Sequence, residues 1–150
     1  MIRQDIATTV RSLYNNFNNH TTDAEWLDRL LSVIADNCEA VDIPGNKTLR
    51  GRDGFKEYIM RWHKAFPDGK IEIPNLFCTE DQAVVEFIGR GTQTGALTYP
   101  QGEVAPTGKK VDMRFCDVLR VANGKIVHQS SYYDSMTMMY QLGFSPGATP

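Results

Sequence analysis

Between Val121-Ala122 and Lys125-Ile126 stands the pair Asn123-Gly124, which constrains the fold more than any other feature of the chain. A two-residue type I′ turn needs positive φ at both central positions, which Asn and Gly tolerate best, so the flanks are read as one antiparallel hairpin. Counting outward sets Ala122 opposite Lys125, Val121 opposite Ile126, Leu119 opposite His128, Asp117 opposite Ser130, Phe115 opposite Tyr132 and Met113 opposite Asp134. One face then carries Met113, Phe115, Asp117, Leu119, Val121, Ile126, His128, Ser130, Tyr132 and Asp134. The other carries Asp112, Arg114, Cys116, Val118, Arg120, Lys125, Val127, Gln129, Ser131 and Tyr133. The first is more apolar and is expected to face inward. A bulge at Gly124 or within 127–133 exchanges the faces of one strand relative to the other, so a second register stays open. Asp117 is inward under either, because Phe115, Leu119 and Val121 alternate along its own strand.

A carboxylate on such a face is costly, since desolvation disfavours its charged form, and perturbed acids in concave sites are candidates for function. Asp117 and Asp134 are therefore singled out. Each also has a plain structural role available: Asp117 can anchor a local hydrogen-bond network, and Asp134 can N-cap a closing helix from Ser135. His128, read as inward, is a candidate to orient or relay for Asp117, or else a satisfied core residue. Tyr14 is a candidate oxyanion donor on the first helix, with core packing as its alternative. His63 reads as a solvated cation at a helix end, and His20 as part of a polar loop. Phe17, Trp62, Phe87, Met113, Phe115, Ser131 and Tyr132 are expected to line a substrate pocket. Three scattered histidines do not make a metal site.

A chain of 150 residues fits one domain, taken as 1–150 with a Gly/Pro tail at 144–150. At this size roughly 70% of the unfolded surface can be buried, enough for an internal pocket. A formal net charge of −2 with scattered basic residues argues against nucleic acid or an anionic membrane as partner. Cys38, Cys78 and Cys116 are odd in number and far apart, as in a reducing cytoplasm. Arg3 and Asp5 stand where a signal peptide needs apolar residues, and no run reaches a membrane span.

Apolar periodicity predicts a helix over Gln4–Asn19, with Ile6, Val10, Leu13, Tyr14 and Phe17 inward and Arg3, Arg11, Asn15 and Asn18 outward. Thr22-Asp23-Ala24-Glu25 has the form of a capping box for a second helix through Ile34. A strand at Glu39–Ile43 and a polar loop to Arg50-Gly51 follow. Asp53 can cap a third helix ending before Pro67-Asp68-Gly69. Strands at Lys70–Phe77 and Gln82–Gly91 pair through Glu80-Asp81. Residues Thr92–Gly108 are too rich in Gly and Pro for regular structure, and a connection this long is usually functional. The final hairpin and a short helix Ser135–Leu142 close the chain. Three N-terminal helices followed by mostly antiparallel strands give an α+β class, a curved sheet wrapped on the helices as a cone-shaped barrel with an internal pocket.

Gly51-Arg52-Asp53-Gly54, Ala65-Phe66-Pro67-Asp68, Gly91-Thr92 with Thr94-Gly95, Pro106-Thr107-Gly108-Lys109, Asp117-Val118-Leu119-Arg120-Val121 with Gly124-Lys125-Ile126-Val127, and Gln141-Leu142-Gly143 occur in one order. In that order they resemble the SnoaL-like polyketide cyclase family of the nuclear-transport-factor-two-like cone fold, over nearly the whole chain. The resemblance implies acid–base chemistry without cofactor or metal on a hydrophobic, often polycyclic substrate. It places the cyclases' acid–base aspartate at Ser131, and serine cannot accept and return a proton near neutral pH. It also implies that Asp117 and Asp134 stand at commonly acidic positions, that Asp117 lies where cyclases hold a pocket histidine, and that two copies pair through the outer sheet face, here Arg114, Val118, Arg120, Val127 and Tyr133. Three functions are expected to compete: proton transfer on a small hydrophobic carbonyl compound through Asp117, aided by His128 or Asp134; a dehydratase or isomerase using Tyr14, a histidine and an aspartate; and a ligand-binding or assembly module that has lost its chemistry at Ser131.

Overall fold

The computed structural model describes residues 3–99 and 102–144, with the side chains of residues 3–5 outside that description. Pro100, the outward Arg3 side chain and the tail from residue 145 onward therefore lie outside the described residues. The first helix, α1 (Arg3–Asn18), buries the stripe Ile6, Val10, Leu13, Tyr14 and Phe17. Beyond a 3-10 turn at Asn19–Thr21, the capping box does not start a helix at Thr22. Asp23 instead accepts the Glu25 N–H at 3.0 Å and the Arg29 guanidinium at 2.8 Å, holding a turn, and α2 is only Trp26–Leu31. Ile34, expected in that helix, opens β1 (Ile34–Asp42).

The polar loop expected before Arg50 contains β2 (Lys47–Arg50), an edge strand paired with β1. Its side chains are mostly exposed, so no apolar alternation marks it. Helix α3 (Gly51–Ala65) starts two residues before Asp53, which sits in the first turn, where a negative charge favours the helix dipole. Strands β3 (Lys70–Cys78) and β4 (Gln82–Thr92) form the expected hairpin. The connection read as irregular holds a small hairpin, β5 (Leu97–Tyr99) with β6 (Gly102–Val104). Leu97 and Val104 bury against Phe66, Val111, Met113, Met138 and Leu142, which is what orders it. Then come β7 (Lys110–Ala122), β8 (Lys125–Tyr133) and α4 (Ser135–Gln141).

The six-stranded sheet runs β2-β1-β8-β7-β4-β3, with only β1 and β8 parallel. Residues of α1, α2 and α3 share one apolar core with Val85, Phe87, Leu119 and Ile126 of the sheet. The class is therefore α+β. Among the described residues no helix is long and apolar enough to cross a membrane.

Asn123 (φ 52°) and Gly124 (φ 75°) make the turn, and Ala122–Lys125 and Val121–Ile126 pair as counted. The next pair is Arg120–His128, so Val127 is an extra residue on β8. Beyond this bulge Leu119 meets Gln129, Asp117 meets Ser131 and Phe115 meets Tyr133. The rest of β8 is turned over relative to the two-residue count. Gln129 and Ser131 are buried, whereas Tyr132 is 45% exposed.

Candidate active site

Inside the fold lies a cavity of about 90 Å³, bordered by Leu13, Tyr14 and Phe17 of α1, Tyr58 and Trp62 of α3, and inward residues of β4, β7 and β8. Its walls are chiefly apolar, aromatic and aliphatic alike. Phe87 and Phe115 stack with ring centres 4.7 Å apart, Tyr14 tilts against Phe87 at 5.4 Å, and Trp62 meets Phe115 edge-on at 5.7 Å. Gly89 makes this possible, because a Cβ there would stand 3.1 Å from the Phe115 ring. Exposed Lys70 and Arg90 border the opposite end and mark the mouth. The polar side chains of the inner wall are Asp117, Gln129 and Ser131, with the phenols of Tyr14 and Tyr58.

Asp117 is 1% exposed and accepts three hydrogen bonds. Tyr14 Oη donates to Oδ2 at 2.7 Å, Gln129 Nε2 to Oδ2 at 2.6 Å, and Ser131 Oγ to Oδ1 at 2.5 Å. A carboxylate offers about four acceptor directions. With two donors on Oδ2 and one on Oδ1, the open direction is on Oδ1. Burial raises the Asp117 pKa to about 6, against the pull of Ser131, Tyr14 and Gln129. The Tyr14 phenol is held well above its ordinary value by burial and by the Asp117 charge, so it remains a donor. Tyr58, on the same cavity wall, is likewise raised by burial and by Asp117.

A second buried acid lies two strands away. Asp42 pairs across β1–β8 with Ser131, which pairs across β8–β7 with Asp117, so the three stand in one row. Asp42 is 1% exposed, and the Arg61 guanidinium lies 2.9 Å from its Oδ2. That contact is a buried ion pair, and against the burial that would lower it the Arg61 pKa is raised by the Asp42 charge. Arg61 also reaches the Tyr133 hydroxyl at 3.4 Å and packs on the rings of Tyr58, Trp62 and Tyr99.

Of the candidates read from sequence, Tyr14, Phe17, Trp62, Phe87, Met113, Phe115, Asp117 and Ser131 all border the cavity. Three do not. The bulge carries His128 to the outer face, where Nε2 lies 2.8 Å from Ser130 Oγ and Nδ1 3.6 Å from Glu39. It carries Tyr132 outward as well, and Tyr133, expected outside, packs inside against Trp62 at 5.3 Å and Phe115 at 5.1 Å. Asp134 is exposed and caps α4, accepting from Met136 N and Thr137 Oγ1, which hold its pKa low. His63 is half-buried, not solvated. It packs 5.0 Å from His20 and 5.0 Å from Trp26, and burial followed by the neighbouring His20 lowers its pKa. His20 is not free in a loop either, since its Nε2 donates to the Gly69 carbonyl at 2.7 Å.

The residues missed from sequence are Gln129, Tyr58, Asp42 and Arg61. Tyr58 lies on the buried side of α3 with Phe55 and Ile59, where its spacing looks like ordinary core packing. A signal for Asp42 was present, because Cys38, Ala40 and Asp42 alternate along β1 and all are buried. Among the described residues no group of three or more His, Cys, Asp or Glu forms a metal-ligand cluster.

The profile of the SnoaL-like polyketide cyclase family matches residues 8–142. None of the curated proteins matches the chain. Among solved structures, a SnoaL-like protein from Jannaschia sp. CCS1, itself a candidate polyketide cyclase, shares 19% identity over 97% of this chain and 96% of its own, with a TM-score of 0.83. A protein of ketosteroid isomerase-like fold from Catenulispora acidiphila, solved with trimethylamine, gives 18%, 95%, 97% and 0.73 in the same order. At these identities both show the fold alone. IdmH from Streptomyces antibioticus, a candidate polyketide cyclase, is 25% identical over 92% of this chain and 98% of its own, with a TM-score of 0.70.

Proposed function

The chain belongs to the SnoaL-like polyketide cyclase family, and we propose that it is a cofactor-independent enzyme that moves a proton on a small hydrophobic carbonyl compound, in a cyclase, isomerase or dehydratase reaction. The observation that carries this is Asp117, a carboxylate buried at the inner end of an apolar cavity, with its pKa lifted to about 6 and an acceptor direction left on Oδ1. A base poised near the working pH balances its ionised fraction against its basicity. Asp117 Oδ1 takes the proton from the carbon next to the carbonyl, and the electron pair of that C–H bond moves onto the carbonyl oxygen. Tyr58, kept protonated by burial, is a donor on the cavity wall for that oxygen. The proton returns from Asp117 to the product carbon.

The test is hydrogen–deuterium exchange at activated carbons of small apolar ketones, followed by NMR. Asp117→Asn is expected to slow exchange by roughly 10²-fold or more; undiminished exchange removes Asp117 from the chemistry. Ser131, standing where the family resemblance places an aspartate, favours a second reading, a ligand-binding module without chemistry. Saturable binding with no exchange in the native chain, and exchange gained on Ser131→Asp, selects it. The same proposal includes a homodimer through the outer sheet face, where Phe77, Val118 and Tyr132 are exposed; a monomer in sizing at micromolar concentration contradicts that part. The free thiols of Cys38, Cys78 and Cys116 suit a cytoplasmic setting.

A further inference from the structure

The cavity that ends at Asp117 is too small for a fused ring system. An apolar protein cavity of about 150 Å³ takes up one benzene, and this one measures about 90 Å³. A ketone on a short carbon chain fits, and the rest of any larger molecule has to leave through the mouth. There Lys70, Arg90 and Val111 border the cavity and also a second, open depression of about 530 Å³. The two spaces differ in chemistry. The inner one is apolar around a single acid, whereas the outer one is lined by Asp68, Lys70, Arg90, Lys110, Asp112 and Gln141.

The acids of the depression are already taken. Asp112 accepts from Arg90 Nε at 3.2 Å, and Asp68 accepts the Thr92 N–H at 2.7 Å. Against burial, the Thr92 bonds and then the Lys110 charge hold the Asp68 pKa low. Arg90 is further occupied by Glu72 at 2.7 Å. Among the described residues, Lys70 and Lys110 have no carboxylate within ion-pair distance. Lys70 Nζ donates to the Asn18 carbonyl at the end of α1, at 2.6 Å, which holds the ammonium at the rim and leaves two of its three N–H groups for a ligand.

We propose that the substrate is an elongated keto acid, whose narrow ketone end enters the cavity and whose negatively charged end lies in the outer depression against Lys70 and Lys110. This deepens the preceding reading and rests on the cavity being the site of the chemistry. A single carbon chain joins the two spaces through the mouth, with its acidic C–H at Asp117 and its charge outside, where it stays hydrated. A charge drawn into the apolar cavity would instead lose its water without gaining a cation.

The probes are 8-oxononanoate and 4-oxopentanoate, each against its methyl ester, titrated calorimetrically into the full chain at about pH 8 and low salt. The long acid is expected to bind more tightly than its ester by roughly fivefold, the size of a good exposed ion pair. That advantage is expected to vanish in about 1 M salt, where charges are screened within ~3 Å, with no change to the protein. It is also expected to vanish when Lys70→Gln and Lys110→Gln are combined, and to survive when both lysines become arginine. The short acid has only two methylenes between ketone and carboxylate, so with its ketone at Asp117 its charge stays in the cavity, and it is expected to show no advantage over its ester. Long acid and ester binding equally overturns the inference, as does an advantage that survives the two glutamines. An equal advantage for the short acid overturns it too, because the carboxylate then rests on surface lysines with the ketone outside. Binding of 1-tetralone as tight as that of the long ester overturns the size argument. Each of these leaves the proton-transfer reading standing, since that is decided by exchange in Asp117→Asn. If none of the ketones binds, this inference and the function it rests on fall together.

Discussion

Replacing Asp117 with Asn gives a prediction whose sign and size come from the structure. The folded Asp117 has a pKa of about 6, against 3.8 for an unperturbed aspartate, because burial outweighs its three donors. Between those values the native chain holds a proton that the unfolded chain has released. Native stability from this group therefore falls as pH rises from about 4 through 6, and below about 4 both states are protonated and no penalty remains. At 1.36 kcal/mol per pH unit the gap amounts to ~3 kcal/mol. Asp117→Asn cannot ionise, so it escapes the penalty. Its lost or rearranged hydrogen bonds add only a constant offset, since the Tyr14 and Ser131 hydroxyls and the Gln129 amide can each turn to suit an amide. Urea unfolding of both proteins from about pH 4 to pH 7 measures the difference, with other titrating groups cancelling. The variant is expected to gain ~3 kcal/mol relative to the native chain across that range. A difference that stays flat refutes the raised pKa. A difference that moves the other way shows that the three donors win over burial, and the case for Asp117 as a near-neutral base goes with it.

Tyr14→Phe removes the donor 2.7 Å from Oδ2, and bonds to charged groups contribute about 1.5–3 kcal/mol, so Asp117 is expected to titrate roughly one to two pH units higher. The acidic limb of the exchange rate, which falls as pH drops through the Asp117 pKa, reads this directly; a downward displacement contradicts it. Arg61→Met leaves Asp42 buried without its cation and is expected to cost about 3–5 kcal/mol in urea unfolding, while the double variant with Asp42→Leu recovers most of the loss. Equal loss in single and double variants speaks against a buried pair. Tyr132→Ala is expected to change stability by no more than about 0.5 kcal/mol, and Tyr133→Ala to cost ~2–3 kcal/mol, because only Tyr133 packs on Trp62 and Phe115. The opposite order restores the bulge-free register.

Asp117 was readable from sequence because Phe115, Leu119 and Val121 fix the face of β7 whatever β8 does. The face of β8 was not, and the cause is compositional. His128, Ser130 and Tyr132 on one side, and Gln129, Ser131 and Tyr133 on the other, are nearly equal in polarity. Register is strongly specified only where one set is plainly apolar. Here tertiary pairing decides: β8 lies between β7 and the parallel β1, and the β1–β8 register also shifts, between Ile34 and Glu39. Parallel pairing of distant segments leaves no local signal, and for the same reason Arg61 of α3 did not announce its partner Asp42 at the end of β1. The short α2 and the edge strand β2 were obscured differently, by a capping pattern used as a turn and by side chains turned to solvent.

The bulge sets the chemistry as well as the register. Burial pushes the Asp117 pKa up, and Ser131, Tyr14 and Gln129 pull it back, in that order of strength. Tyr14 comes from α1 and is present in any register. Ser131 and Gln129 reach Asp117 because Val127 is looped out. In the bulge-free pairing Asp117 faces Ser130 and is flanked by His128 and Tyr132. Its strongest donor and the Gln129 amide are then on the outer face. Ser130, His128 and Tyr132 would then be the β8 groups beside the acid, so the bulge decides which side chains donate to it. The extra residue in β8 thus sets which β8 side chains hold Asp117, the Ser131 hydroxyl and the Gln129 amide. Each donor on Asp117 offsets part of the cost of burying it, which is how this core tolerates Gln129 and Ser131 beside it.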